Sequence, residues 1–156
     1  MVFDANNKQV GQLIGTEAKP AFIRYTLATG DAVLLEAFPY GLRQAGPAVP
    51  AVYFLNTTNC SGPTAYVDPT VMGQLTRRQA TVVNEYSSPL VLTRSELYVS
   101  VPFPATTQMP AGQVALSRYQ SGTCIGTSFP LGGAFLVAVT KTENLLTKFA
   151  IPFWTP

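Results

Sequence analysis

The sequence predicts an all-β fold, an antiparallel β-sandwich or jelly-roll-like barrel, with about nine to eleven strands and little helix. Three observations predict this class. Twelve glycines and thirteen prolines interrupt the chain at short intervals. The segments between them are rich in Val, Ile, Leu, Phe, Tyr and Thr, the residues that strands favour. No strand alternates with a helix of about a dozen residues, as a parallel α/β sheet would require.

Two hairpins near the N-terminus are the most specific local signals. In the first, Asn6 and Asn7 separate two apolar runs and can take left-handed backbone angles at low cost. In the second, Gly30 occupies a turn position where a positive φ is needed. Together with the later apolar runs, the predicted strands span residues 2–4, 9–14, 21–27, 32–38, 51–55, 64–67, 79–84, 90–93, 96–101, 114–119 and 135–140.

The segments between these strands are predicted as loops or short helices. Residues 39–51 are rich in Pro, Gly and Ala, and we expect a surface loop there. Residues 69–75 and 140–146 favour helix, but both are short and diluted by Thr or Gly. At 156 residues the chain has the size of one domain, so residues 1–156 are expected to form a single β domain.

Charged residues are scarce in this sequence. They make up 12% of the chain, about half of the ~25% that is usual in soluble domains. The ten basic residues are scattered apart from Arg77-Arg78, and nucleic-acid binding, which needs clustered cations, is therefore not expected. No apolar run approaches the ~20 residues of a spanning helix, so membrane insertion is not expected either. Because interface cores are depleted of charge, we expect a homo-oligomer.

The segment Gly122-Thr-Cys124-Ile-Gly126 has the shape of a hydrolase nucleophile elbow with cysteine at the reactive position. A catalytic cysteine needs a base, usually histidine, and the chain contains no histidine. The same count excludes Ser-His-Asp catalysis, and two cysteines cannot supply the four ligands of structural zinc. No catalytic residue, metal or cofactor is therefore predicted. Cys60 and Cys124 are expected to form a disulfide, as in exported proteins, and the main alternative is two buried thiols.

Acidic and aromatic side chains are the remaining candidates for a site. Two carboxylates at the correct separation would suffice for a glycoside hydrolase, but no acidic residue lies in a recognisable motif. Solvated or ion-paired roles are expected for Asp4, Glu17, Asp31, Glu36, Asp68, Glu85, Glu96 and Glu143. Aromatic rings bind sugars and anchor partners. Tyr40, in a Pro-Tyr-Gly loop, and Trp154, near the chain end, are predicted to be exposed ligand-binding residues.

Three segments, in this order over nearly the whole chain, carry a family resemblance. They are Phe3-Asp-Ala-Asn-Asn-Lys-Gln-Val-Gly11, Val52-Tyr-Phe-Leu-Asn-Thr-Thr-Asn-Cys-Ser-Gly62 and Ile151-Pro-Phe-Trp154. The chain resembles the β-rich C-terminal domains that follow collagen-like or fibrous repeats in exported bacterial proteins and phage tail-fibre-like proteins. It departs from them at Asn7, where glycine is usual. The resemblance implies an extracellular, cell-surface or virion module, a trimeric head on a stalk, and it transfers no catalytic residues.

The leading hypothesis is thus a non-enzymatic structural or adhesive module, the C-terminal head of an extracellular or phage fibre. Such a head would bind a cell-surface glycan or protein, trimerise, or do both. Two alternatives stay open. A carbohydrate-active hydrolase would place two carboxylates about 5–10 Å apart in one cleft. A virion or capsid jelly roll would show broad contacts on several sides, its low charge reflecting lateral packing.

Overall fold

The protein is described here by a computed structural model covering residues 1–14, 21–45, 51–69, 77–88 and 91–155. The secondary structure within these ranges is almost entirely β. The elements are β1 Val2–Phe3, β2 Gln9–Leu13, β3 Ala21–Thr26, β4 Ala32–Phe38, β5 Gly41–Gln44, β6 Val52–Phe54, β7 Thr64–Val67, β8 Ala80–Ser88, β9 Val91–Val99, β10 Thr107–Gln108, β11 Val114–Ala115, β12 Ser117–Gln120, β13 Thr123–Ile125, β14 Phe129–Pro130, β15 Phe135–Asn144 and α1 Leu145–Lys148.

All the strand pairings of the described residues are antiparallel, which confirms the predicted fold class. Strands β1 to β5 pair in chain order as a half-barrel. The larger sheet has the order β13-β12-β6-β7-β15-β9-β8, and β10 also pairs with β15. Its two edge strands, β13 and β8, approach each other, so this sheet nearly closes into a barrel.

The β8–β9 hairpin joins the two sheets because its two faces serve different cores. Successive residues of a strand point to opposite faces. Val82 and Leu97 therefore pack against the half-barrel, whereas Val83 and Tyr98 fill the barrel interior. A third apolar cluster covers the outer face of the barrel and includes Met109 and Leu136.

A cluster of ion pairs around one aspartate also connects the half-barrel to the barrel. Asp31, in the β3–β4 turn, accepts hydrogen bonds from the guanidinium groups of Arg77 and Arg78, the latter with Nε 2.7 Å from Oδ2. These two arginines lower the pKa of the Asp31 carboxyl. The one basic pair that stands out in the sequence thus has a structural partner.

The two predicted hairpins are confirmed, including their turn geometry. Asn7 has φ 62° and Gly30 has φ 89°, so both adopt the left-handed conformation. Asn7 tolerates this conformation because its short side chain can bond locally.

Several predicted boundaries are wrong. Within the predicted loop 39–51, Gly41–Gln44 forms β5, because Leu42 is almost fully buried and pairs with Ala37 of β4. Residues 91–93 and 96–99 of the two predicted strands 90–93 and 96–101 belong to one strand, β9, which pairs along its length with β8. The strand count exceeds nine to eleven because four strands contain only two residues.

The predicted helix 140–146 is wrong for most of its length. Residues up to Asn144 continue β15, since their backbone pairs with β9. Helix α1 begins at Leu145, where the Asn144 side chain accepts a hydrogen bond from the Leu146 amide and caps the turn. The other predicted helix, 69–75, lies almost entirely outside the described residues. No helix of the described part has the length and apolarity needed to cross a bilayer.

Candidate functional site

Cys60 and Cys124 form a disulfide, as predicted, so Cys124 has no thiol to act as a nucleophile. Their Cα atoms are 5.9 Å apart, and the bridge lies at the barrel interior beside β13. The bond spans 64 residues of sequence and holds the β6–β7 loop against β13, an edge strand of the large sheet. A disulfide of this kind persists in oxidising compartments and fits a non-cytoplasmic protein.

Polar contacts fix the Cys60 loop on both sides of the bridge. The Cys60 amide donates to the Ser117 hydroxyl at 3.0 Å, and the Cys60 carbonyl accepts from Arg94 at 3.0 Å. Cys60 itself has φ 52°, a left-handed conformation that is unfavourable for a residue with a Cβ. The surrounding contacts therefore hold a loop conformation that the isolated segment would not favour.

The two aromatic residues predicted to bind ligand are both exposed, at 40% for Tyr40 and 42% for Trp154. Tyr40 lies in the turn between β4 and β5. Trp154 packs its ring against Phe3, with 5.4 Å between centroids, and its Nε1 donates to the Asp4 carbonyl at 3.0 Å. The C-terminal segment also reaches the Tyr40 turn, because the Phe153 amide donates to the Pro39 carbonyl. Trp154 thus has a structural contact in addition to any role in binding.

The acidic residues of the described part mostly have cationic partners, as expected. Asp31, Glu36, Glu85, Glu96 and Glu143 form ion pairs with arginine or lysine. Glu17 lies outside the described residues. Among those that are described, no three His, Cys, Asp or Glu side chains cluster closely enough to hold a metal ion.

A cleft lined by basic residues lies between β2, β3 and the end of α1, and we call it the cationic cleft. It encloses about 250 Å³. Its floor is formed by Val10, Tyr25 and Phe149, which are buried. Its polar lining residues are Lys8, Gln9, Gln12, Arg24, Thr26 and Lys148. Neither Tyr40 nor Trp154 lines it.

The cleft exists because β2 and β3 diverge. Their ladder pairs Gln12 with Arg24 and Leu13 with Ile23, and no further pair is formed toward Gln9. At Gly11 the two strands are still close, since a Cβ there would lie 2.8 Å from Ile23 Cδ1 and 3.1 Å from the Arg24 carbonyl oxygen. Beyond this contact the separating strands leave a gap, and the residue after α1, Phe149, closes its base.

A cluster of hydrogen bonds and cation–π contacts stabilises one wall of the cleft. The Tyr25 hydroxyl donates to Glu143, and burial together with this bond raises the Tyr25 pKa, so the phenol stays protonated. Lys148 Nζ lies 2.7 Å from the Tyr25 hydroxyl and 3.1 Å from the nearer Glu143 oxygen. Lys148 also lies over the Tyr25 ring at 5.0 Å. Glu143 therefore neutralises the Lys148 charge.

Neither of the other two cations of the cleft forms an ion pair with a described carboxylate, although the Lys8 charge acts on the nearby Asp4 carboxyl. Lys8 Nζ donates to the Lys148 carbonyl at 2.9 Å and lies 5.2 Å from the centre of the Phe149 ring. Arg24 is exposed on β3, and its guanidinium bonds to none of the described residues. The cleft therefore carries a net positive charge, chiefly that of Arg24, beside two amides and a hydroxyl, a set suited to holding an anionic polar ligand.

Sequence reasoning did not identify this cleft, because its residues come from three separate segments and form no motif. One signal was present: Arg24 and Thr26 alternate with Ile23, Tyr25 and Leu27, which a strand period of two places on opposite faces. That pattern identifies outward-facing polar residues but not the gap that they border.

No protein family matches the chain, and no similar curated protein or solved structure was found. The function is therefore inferred from the geometry of the site, and the resemblance to fibre-head domains stays a prediction.

Proposed function

We propose that the protein is a non-enzymatic structural and adhesive module, the head of an extracellular or virion-surface fibre. In this role it forms a homotrimer and holds a cell-surface ligand by contact. The observation that carries the proposal is the cationic cleft on the half-barrel, which the β8–β9 hairpin joins to the disulfide-braced barrel. The cleft offers charged and amide donors on a rigid β scaffold, and such groups bind a ligand without transforming it.

The chemistry of the cleft lining supports binding over catalysis. Among the described residues, the two carboxylates near the cleft are both occupied, Glu143 by the Tyr25 hydroxyl and the Lys148 ammonium, and Asp4 by three backbone amides. The raised Tyr25 pKa keeps that phenol from acting as a base near neutral pH. A glycosidase would instead need an acid and a second carboxylate facing one cleft.

Exposed apolar side chains on a charge-poor surface support self-association. Phe103 is 71% exposed and Val101 is 65% exposed, both in the loop that connects β9 to β10. Phe135, at the start of β15, is 56% exposed and pairs with Gln108 of β10. Contiguous apolar patches are uncommon on the surface of monomers unless they serve an interface, and we propose that these side chains contribute to one. The prolines on either side of Phe103 restrict the loop and reduce the entropy lost when it is buried.

The proposal predicts a particle of about three times 16.7 kDa in sedimentation velocity at micromolar concentration. The Phe103→Ser variant is expected to shift this population toward monomer, because a hydroxyl replaces an apolar contact. Val91→Ser is the matched control, since Val91 is 51% exposed but lies at the start of β9, the opposite end of that strand from the Phe103 loop. A wild-type monomer across the accessible concentration range would contradict the assembly.

A further inference from the structure

We infer that the cationic cleft binds an anionic saccharide, a sugar carrying a carboxylate or a sulfate. The inference rests on the proposed adhesive function and names the ligand class for it. It depends on the juxtaposition of Arg24, Lys8 and the amides of Gln9 and Gln12 where β2 and β3 diverge.

The net charge of the cleft favours an anionic ligand. Arg24 forms no ion pair with a described carboxylate, whereas Lys148 is neutralised by Glu143 at 3.1 Å and the Lys8 charge is partly balanced by the nearby Asp4 carboxyl. An anion in the cleft would thus meet about one positive charge in excess, that of Arg24. The guanidinium of Arg24 can bind a carboxylate or sulfate through two parallel hydrogen bonds, and Lys8 can act as a point charge beside it.

The neutral groups of the lining point to a sugar and not to a bare ion. Gln9, Gln12 and Thr26 are exposed at the cleft and together offer both donors and acceptors. Sugar hydroxyls need both kinds of partner, while a free sulfate accepts hydrogen bonds only. The ladder between β2 and β3 ends at the Gln12–Arg24 pair, so Thr26 has no β2 residue opposite it.

The volume of the cleft limits how much of a saccharide it can hold. The cleft volume of about 250 Å³ lies just below the roughly 300–1,000 Å³ of pockets for drug-sized ligands. One acidic sugar unit fits such a space, and the rest of the chain would extend along the surface. Because the aromatic floor is buried, ring stacking contributes little, and binding through charge should weaken as salt is added.

The test measures affinity by isothermal titration at low salt. The probes are an oligogalacturonate, a sulfated galactan oligosaccharide and a neutral galactan oligosaccharide of the same length, with short polyglutamate as a non-sugar polyanion. We expect the two acidic sugars to bind and the neutral sugar to bind at least tenfold more weakly. The ranking of carboxylated against sulfated sugar identifies which anion the cleft prefers.

Two substitutions should change affinity in opposite directions. Arg24→Gln removes an uncompensated charge and is expected to weaken acidic-sugar binding about tenfold. Glu143→Gln leaves an acceptor for Tyr25 but frees the Lys148 charge, and it is expected to strengthen binding about threefold. Lys141→Gln removes one positive charge outside the cleft and is expected to have no effect. Near-ultraviolet circular dichroism confirms that each variant is folded.

Three results would overturn the inference. Equal affinity for neutral and acidic sugars would remove the role of charge. Tighter binding of polyglutamate would favour an acidic peptide as the ligand. Unchanged affinity in folded Arg24→Gln would place the site elsewhere. Each of these results leaves trimer formation untouched, so failure of the inference is distinct from failure of the proposed assembly.

Discussion

Removing the Cys60–Cys124 disulfide is expected to lower the free energy of unfolding by about 4 kcal/mol. The bond closes 64 residues, and a closed loop of that length removes that much chain entropy from the unfolded state. The cost should be measured by urea denaturation of the Cys60→Ala/Cys124→Ala variant against the oxidised wild type. The effect is large because it approaches the whole stability of many small domains.

Reduction of the wild type provides a second measurement of the same quantity. A reducing agent should lower its unfolding midpoint toward that of the double variant, while leaving the double variant unchanged. This comparison separates the effect of the bond from the effect of placing alanine at Cys60, which has a left-handed backbone. A reduced wild type that keeps its oxidised stability would contradict the bracing role.

Replacing Asp4 by alanine is expected to destabilise the protein by about 3 kcal/mol. The Asp4 side chain is only 1% exposed and accepts three backbone hydrogen bonds, from Asn6, Lys8 and Ala150 at 2.8–3.0 Å. It therefore ties the β1–β2 turn to the C-terminal segment, and alanine would leave these donors without an acceptor. Thermal unfolding measures the loss, and Asp4→Asn, which keeps one acceptor oxygen, should lose less.

The contribution of Asp4 to the free energy of unfolding should also depend on pH. Burial alone would raise the Asp4 pKa, but the three backbone donors and the nearby Lys8 charge lower it below 3.8. A carboxyl with a lowered folded-state pKa stabilises the protein above its unfolded pKa, and this contribution is lost as pH falls through the folded pKa. The difference in the free energy of unfolding between wild type and Asp4→Ala should therefore be constant near neutral pH and become smaller below pH 3.8. A gap that widens on acidification would contradict this assignment.

Features set by neighbouring residues were predictable from the sequence. Asn7 and Gly30 mark turns through their own backbone preferences, and both turns occur. The disulfide was predictable because the absence of histidine removed the main chemical alternative for two cysteines. In both cases the deciding property belongs to a residue type and does not depend on the fold.

Features set by distant contacts were not predictable. Gly41–Gln44 has the composition of a loop, yet β4 and the burial of Leu42 make it a strand. Thr140–Asn144 has a mixed composition, and pairing with β9 decides its conformation. The cationic cleft likewise depends on where β2 separates from β3 and on the position of Phe149, which lies more than a hundred residues away. Tertiary context overrides local preference at each of these places.

The most direct test of the whole account is whether the protein holds an acidic oligosaccharide without altering it. The oxidised protein should be incubated for days with the tightest-binding acidic probe, and the recovered sugar should be analysed by mass spectrometry. A contact-binding head predicts saturable binding and a recovered oligosaccharide of unchanged mass. Shortened products that disappear when a carboxylate of the protein is substituted would show a hydrolase instead, and would contradict the account.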